Sequence, residues 1–467
     1  MPLFPDELTG ELPELLSPPD VFFAEPFFIT SLRSFVAAVG VIMLRVTVSE
    51  MPPRFKYSET ELNQKPVTGD FWLRGPGQEL LNWAQTKISA GSRVSELILP
   101  VKTRFGKLGV EALELAVGLE RARQMPELPA LALVHRESLE QSSKPPFNKF
   151  HAEYFTGCDT VLEVGAGLGL DTIALAAVVR NVIALEPNVE RASYVVENLR
   201  ALGITNVQVH CKKFEDAADL IAQADGIFAD PSRRKGGERV RNPDECAPAM
   251  NILLAASAGK RLMVKLSPTS AGYLLDTTQF HRCFVGNDFE ARELIIKNEP
   301  GCDKMILLSS DGPRHELAVG ESAINQPQAI ARIPITDARY LFEPHPVILT
   351  ALGGVRAVCA RLGLALITSE HGYLGSAEAL DNSAWVKGYE IIETVPFRIE
   401  KIQALIDKHL LTKDTAIKKR EHRVSPEQLQ RTLRWHAAAL HEERLHASAL
   451  LCIDSGKNQW CVLVKTV

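Results

Sequence analysis

Three glycines at alternate positions, Gly165, Gly167 and Gly169, lie between an apolar run ending in Glu163-Val164 and the segment Leu170-Asp171-Thr172, which reads as a helix start. Residues without a Cβ tolerate positive φ and leave room beside the main chain. A strand, a glycine turn and a helix in that order therefore bring backbone close to a ligand. The chemistry such a turn serves is the holding of an adenosyl group. A dinucleotide fingerprint is G-x-G-x-x-G, whose third glycine lets helix and strand pack closely. Here the spacing is G-x-G-x-G and Leu170 stands where that third glycine would be, which disfavours a nicotinamide dinucleotide.

Two later segments complete the pattern. Asn181-Val182-Ile183-Ala184-Leu185-Glu186-Pro187-Asn188 reads as a second strand ending in an acid. A strand-terminal acid about twenty residues past the glycines can take two ribose hydroxyls, and Asn188, just beyond it, is counted with the same ligand. Gly226-Ile227-Phe228-Ala229-Asp230-Pro231-Ser232-Arg233-Arg234 is an apolar strand running into Asp-Pro at the carboxyl edge of a parallel sheet, where open α/β folds bind ligands. In this order the three resemble class I S-adenosylmethionine-dependent methyltransferases, with S-adenosyl-L-methionine as cofactor. The resemblance implies a glycine loop, a ribose acid at Glu186, and an Asp-Pro motif beside the transferable methyl. Glu163 and Asp171 flank the loop. Glu163 either contacts the methionine amino group, directly or through water, or is an ordinary strand-end acid, and the pair could equally serve as helix caps. After the third strand, where relatives carry an acid for the adenine amino group, this chain has Lys212 and Lys213 before Phe214. That leaves Phe214 to pack the ring and Glu215 or Asp216 to substitute for the acid.

In amino-methylating relatives an Asn/Asp-Pro-Pro-aromatic turn aligns the nucleophilic nitrogen with the methyl sulfonium for in-line attack. This chain departs from it with Asp230-Pro231-Ser232-Arg233-Arg234, which offers no aromatic platform for a flipped base. Arg233 and Arg234 supply planar forks suited to phosphate or carboxylate, or else pair with Glu238, Asp244 or Glu245. No cysteine lies nearby, which argues against a covalent Cys route. Lys265 and Ser267 end another strand at the same edge, where Lys265 is either an anion contact or a strand-end charge. The candidate catalytic set is Asp230, Pro231, Arg233, Arg234 and Lys265.

These residues need a scaffold. Segments 160–164, 182–186, 207–211, 226–230 and 261–265 read as strands with helices between them, which argues a parallel, doubly wound sheet. The 467 residues suggest about three domains of roughly 150 residues each. The composition, 46% hydrophobic and 23% charged, is that of an ordinary globular chain. Eight dispersed cysteines without zinc spacing indicate reduced thiols, a cytoplasmic location and no metal. Apolar spacing over 66–150 predicts a helical domain. Its last helix, from Arg136 to about Phe155, either brings Asn148, Lys149 and His151 to the cofactor mouth or is a plain linker. Residues 1–65 are an N-terminal extension of uncertain reality. Its apolar run Phe35 to Val48, broken by Arg45, is short of the ~20 residues that span a membrane, and it lacks signal-peptide order. The core is placed at 151–285, and 286–335 is an edge-strand and linker segment with strands at 288–296 and 304–308.

A narrower resemblance covers most of residues 70 to 435. Asp230-Pro231-Ser232-Arg233-Arg234, Val264-Lys265-Leu266-Ser267-Pro268, Tyr340-Leu341-Phe342-Glu343-Pro344, Leu362-Gly363-Leu364 and Ala416-Ile417-Lys418-Lys419-Arg420 together look like the bacterial class I methyltransferases with a C-terminal THUMP-like domain. It implies a Rossmann-like core, the helical N-terminal domain, an α+β THUMP-like domain over 336–435, and a tail at 436–467 that adds a strand or hairpin. It also implies an RNA partner, tRNA or rRNA, because THUMP domains elsewhere bind tRNA. The net charge of -5 does not by itself advertise a nucleic-acid binder. The basic stretch 398–435, with Lys418, Lys419 and Arg420 as RNA contacts, is either an RNA face or a solvated surface. The expected function is methyl transfer to an RNA nitrogen or oxygen. Alternatives are an RNA-binding protein that keeps the cofactor without catalysis, and a small-molecule methyltransferase. No membrane association is expected, and the sequence does not give the oligomeric state.

Overall fold

Apolar residues three and four apart make the first elements helical. The computed structural model describes residues 67–467 except 236, 275–278, 289, 300, 310–311, 321–328, 438–448 and 455–457, so the extension over 1–65 lies outside the described residues. Helices α1 (Gly69–Leu73), α2 (Gln78–Ser89) and α3 (Val94–Arg123) bury Trp72, Leu80, Leu81, Leu97, Val101 and Leu113 in one cluster. Next come α4 (Arg136–Gln141) and α5 (Phe147–Glu153). The single helix expected from Arg136 to about Phe155 is thus two. Pro145 and Pro146 stand between them, and proline cannot donate to a helix interior.

The chain then alternates. It runs through β1 (Thr160–Val164), α6 (Leu170–Ala176), β2 (Asn181–Leu185), α7 (Val189–Ala201), β3 (Val207–His210), α8 (Ala218–Gln223) and β4 (Gly226–Ala229). A two-stranded hairpin, β5 (Arg234–Lys235) and β6 (Glu238–Arg239), leads to α9 (Met250–Ala256) and β7 (Arg261–Leu266). Four more strands follow: β8 (His281–Asn287), β9 (Glu290–Lys297), β10 (Lys304–Leu307) and β11 (His315–Ala318). Apart from the β5–β6 hairpin these make one sheet in the order β11-β10-β8-β9-β7-β4-β1-β2-β3. Strands β3, β2, β1, β4 and β7 run parallel, and β9 is antiparallel to both of its neighbours. The central strands are apolar without alternation because both faces are covered. Leu162, Ile183 and Ile227 belong to one cluster, and Val161, Val182 and Phe228 to another. The strand expected at the sheet edge over 288–296 is therefore interior, between β7 and β8, where Leu294, Ile295 and Ile296 are fully buried.

A second sheet follows. Its elements are β12 (Tyr340–Pro344), α10 (Pro346–Thr350), α11 (Gly354–Leu362), β13 (Ala365–Leu366), β14 (Leu374–Ser376), β15 (Val386–Pro396), α12 (Ile399–His409), β16 (Ala416–Arg420), α13 (Pro426–Thr432), β17 (Ala449–Asp454) and β18 (Gln459–Thr466). The order is β13-β14-β12-β15-β18-β17-β16. Residues 449–454 and 459–466, from the expected tail, are interior strands here, β18 pairing with β15 on one side and β17 on the other. Val347, Ile348, Val355 and Val358 of α10 and α11 share a core with Phe284, Leu294 and Met305 of the first sheet. Helices α10 and α11 of the second unit thus pack on the first sheet, while α12 and α13 pack on the second.

Candidate active site

The carboxyl ends of β1, β2, β4 and β7 open into a cleft of about 1300 Å³. Gly165, Gly167 and Gly169 have φ of 86°, 57° and 89°, the left-handed region that side chains resist. Space decides as well at Gly165, because a Cβ there would lie 2.6 Å from the Asp230 carbonyl oxygen. The glycine turn and the Asp-Pro turn are in contact, and both line the cleft.

Glu186, buried past the end of β2, accepts from the Gly167 amide through Oε2 and the Asn188 amide through Oε1, both at 3.0 Å. It pins the glycine turn from below. Asn188 lines the cleft and also caps α7, its side chain accepting from the Arg191 amide at 2.9 Å. Phe214 is buried and lines the cleft, with Lys212, Lys213, Glu215 and Asp216 around it. Glu163 is elsewhere: it is 1% exposed, accepts from the Thr172 hydroxyl and is not part of the cleft wall. Burial, reinforced by Asp171, pushes its carboxyl pKa up to about 8.

Asp230 follows β4 and meets Lys265 of β7, with Nζ 2.6 Å from Oδ2. Lys265 also donates to Ser143 Oγ at 2.9 Å. Burial alone would lower the Lys265 pKa, but Asp230, then Glu293 and Asp171, outweigh it and hold the ammonium above its ordinary range. Pro231 is buried, and Ser232 pairs through its backbone with Ala247. Arg233 and Arg234 both line the cleft. The ion pairs to Glu238, Asp244 and Glu245 do not form among the described residues, and the acid nearest Arg234 is Glu137 of α4, at 3.9 Å.

A polar chain lies behind this pair, and the sequence does not single out two of its members, Ser143 and Glu293. His151 of α5 is fully buried, with Nδ1 2.8 Å from Asp171 Oδ1 and Nε2 2.9 Å from Glu293 Oε2. Burial opposes charge on the ring, yet Glu293 and Asp171 outweigh it and raise its pKa to about 9. Glu293 accepts from Ser143 at 3.3 Å, which closes the chain to Lys265. The one local signal for Glu293 is an acid beside the run Leu294-Ile295-Ile296 of an interior strand. Of the other two α5 candidates, Asn148 is buried and donates to the Leu170 carbonyl, while Lys149 is exposed and outside the cleft.

The three cations taken as RNA contacts lie along β16, where successive side chains point to opposite faces. Lys418 donates to Tyr389 Oη at 2.9 Å and lies 3.3 Å from Glu343 Oε2. Arg420 lies 3.5 Å from Glu343 Oε1. Lys419 is exposed on the other face. The expected joint cationic surface does not form, because two of its members are turned toward one acid.

All eight cysteines are free, and among the described residues no helix is long and apolar enough to cross a membrane. No family model and no curated protein matches the sequence. Among solved structures, a candidate methyltransferase of Porphyromonas gingivalis W83 aligns with 82% of this chain and 96% of its own, at 21% identity and a TM-score of 0.60. An rRNA methylase of Streptococcus thermophilus aligns with 32% of this chain and 92% of its own, at 17% identity and a TM-score of 0.25. A candidate methyltransferase of Streptococcus mutans in complex with SAH aligns with 33% and 98%, at 16% identity and a TM-score of 0.25. The chain shares the fold of the Porphyromonas protein over most of its length.

Proposed function

We propose that the protein is an S-adenosylmethionine-dependent methyltransferase of the cytoplasm whose acceptor is a nitrogen or oxygen of tRNA or rRNA. The observation that carries this is Glu186, a carboxylate at a strand end, bonded to the glycine turn and facing a cleft that the Asp230 turn closes. Its oxygens keep lone pairs for the ribose hydroxyls after accepting from Gly167 and Asn188. Phe214 offers an apolar wall for the adenine. When bound, the sulfonium supplies a strong electrophile, so the protein's task is to align the acceptor with it. Asp230 does this as an anion: Lys265 holds Oδ2, and Oδ1 is left to accept a hydrogen bond from the acceptor's N–H or O–H group. Lys265 stays protonated in this pair and is not the base. Arg233 and Arg234, beside Arg239 and Lys213 in the cleft wall, suit a phosphate backbone. The THUMP-like resemblance of residues 336–435 supports the same substrate class.

Two measurements test this. Calorimetry with S-adenosylmethionine reports the cofactor, and tight NAD binding instead would remove it. Nucleoside mass spectrometry of RNA from a deletion strain reports the acceptor: one methyl mark is lost, restored by the wild type and not by an Arg233→Ala/Arg234→Ala double variant. An unchanged nucleoside profile would point to a small-molecule acceptor or to no catalysis.

A further inference from the structure

Two carboxylates flank the glycine turn, and only one of them faces the cleft. Glu163, on β1, is buried and bonded to Thr172, and burial raises its carboxyl pKa to about 8. Asp171, the second residue of α6, is in the cleft wall with its side chain 11% exposed. Its Oδ1 is held by His151 at 2.8 Å, and its Oδ2 has no hydrogen-bond partner among the described residues. His151 in turn has little freedom. Its ring stacks on Phe228 with centroids 5.1 Å apart and planes 28° from parallel, and its other nitrogen is fixed by Glu293 at 2.9 Å. An imidazole with a carboxylate at each nitrogen donates from both, which makes it a cation, and hydrogen bonds between charged groups are the strong ones. The neighbouring charges are Lys265, paired with Asp230, and Glu293. Asp230 and Glu293 line the same cleft but are engaged by Lys265 and by His151 and Ser143, and Asp171 alone of these acids stands on the helix that the glycine turn leads into.

We propose, on the methyl-transfer reading above, that His151 is a positioning residue that fixes Asp171 as the acceptor for the ammonium on the amino-acid arm of the cofactor. The pair thereby sets the site's preference for ligands that carry this arm. Asp171 makes the contact and His151 acts through it, from a helix outside the parallel sheet.

Two ligands isolate the arm. S-adenosylhomocysteine and 5′-methylthioadenosine share the adenosine and an uncharged sulfur, and they differ only in whether the sulfur carries the amino-acid arm or a methyl. Calorimetry on the full chain should find S-adenosylhomocysteine weakened about tenfold or more by His151→Gln and by Asp171→Asn, the scale of a charged hydrogen bond. Binding of 5′-methylthioadenosine should stay within roughly threefold of wild type, a difference well under 1 kcal/mol. The double variant should lose no more than the weaker single variant, because one residue works through the other. A purely structural role would weaken both ligands alike, so equal losses, or additive losses in the double variant, overturn the proposal. Should the glutamine variant not fold, the wild type carries the test. His151, with its pKa raised to about 9, is still doubly protonated at mildly alkaline pH. Its 15N signals should move with S-adenosylhomocysteine and not with 5′-methylthioadenosine, and equal movement overturns the assignment. A wild type that binds neither ligand is a separate failure, which removes the cofactor reading itself.

Discussion

Lys265 and Asp230 form an ion pair of 2.6 Å across the ends of two parallel neighbours, β7 and β4, yet the two side chains are unequally exposed, at 8% and 27%. Removing one partner of a buried pair is costly because the other charge is left without compensation. The cost should therefore depend on which partner goes. Asp230→Ala strands a buried ammonium and should lower stability by about 3–5 kcal/mol. Lys265→Met leaves a carboxylate that water can reach and should cost less, about 1–2 kcal/mol. Urea unfolding of both variants measures the difference. Equal losses would mean that the pair is no more buried at one end than at the other.

Glu186 holds the glycine turn and is proposed to take the ribose hydroxyls, and its variants should separate the two duties. Glu186→Ala removes the proposed ribose acceptor and also leaves the Gly167 and Asn188 amides without their partner. S-adenosylmethionine affinity should fall by about 1.5–3 kcal/mol, the scale of hydrogen bonds to a charged group. Glu186→Gln keeps one acceptor oxygen for the turn, so it should retain more stability than the alanine variant while still losing affinity. Calorimetry paired with thermal unfolding distinguishes the two duties. Unchanged affinity in both variants would take Glu186 out of the cofactor site.

The readable parts of this site are those whose cause is local. The glycines and Glu186 follow from strand–turn–helix order, and Asp230 and Lys265 reach one edge because parallel neighbouring strands end together. His151 is not readable in this role, because its partners Asp171 and Glu293 lie 20 and 142 residues away in sequence. Periodicity likewise gives β9 its apolar face but not its place. An antiparallel return into the middle of a sheet and one at its edge have the same local pattern, and only the burial of Leu294 to Ile296 on both faces separates them. Lys418 and Arg420 show the converse. Their alternation on a strand is legible, but Glu343, which draws both inward, enters from β12, far back in the chain.

Glu163 should leave a signature in the pH dependence of stability. Burial, then the charge of Asp171, raises its pKa from 4.5 to about 8 on folding, so the folded chain keeps a proton that the unfolded chain gives up. Its contribution is complete below pH 4.5, declines as pH rises through the window, and is gone above about 8. His151 adds a similar decline at higher pH, between 6.5 and about 9. Glu163→Gln keeps an acceptor for Thr172 and removes only the first of these. Relative to wild type, the variant should gain stability steadily from pH 4.5 to 8, read as a shift in urea midpoint. Parallel curves for the two proteins would show that Glu163 is ionised in the folded state.

On the proposed RNA substrate, binding by the second sheet should draw on Lys419 rather than on the whole basic run. Each phosphate that a protein cation neutralises contributes about 0.7–0.9 to the log–log slope of affinity against salt. Three free cations at 418 to 420 would therefore be worth about 2–3 in slope. The structure pairs Lys418 and Arg420 with Glu343 and leaves Lys419 exposed. Charges already satisfied within the protein release few counterions on binding, so the triple alanine variant should lower the slope by no more than about 0.9. Lys419→Ala alone should reproduce that change. Lys418→Ala and Arg420→Ala should instead lower stability, because each removes a partner of the half-buried Glu343 carboxylate. Affinity against salt for the single and triple variants, with unfolding midpoints, tests both halves. A slope change of about 2–3 in the triple variant would mean that Glu343 releases both cations to the RNA.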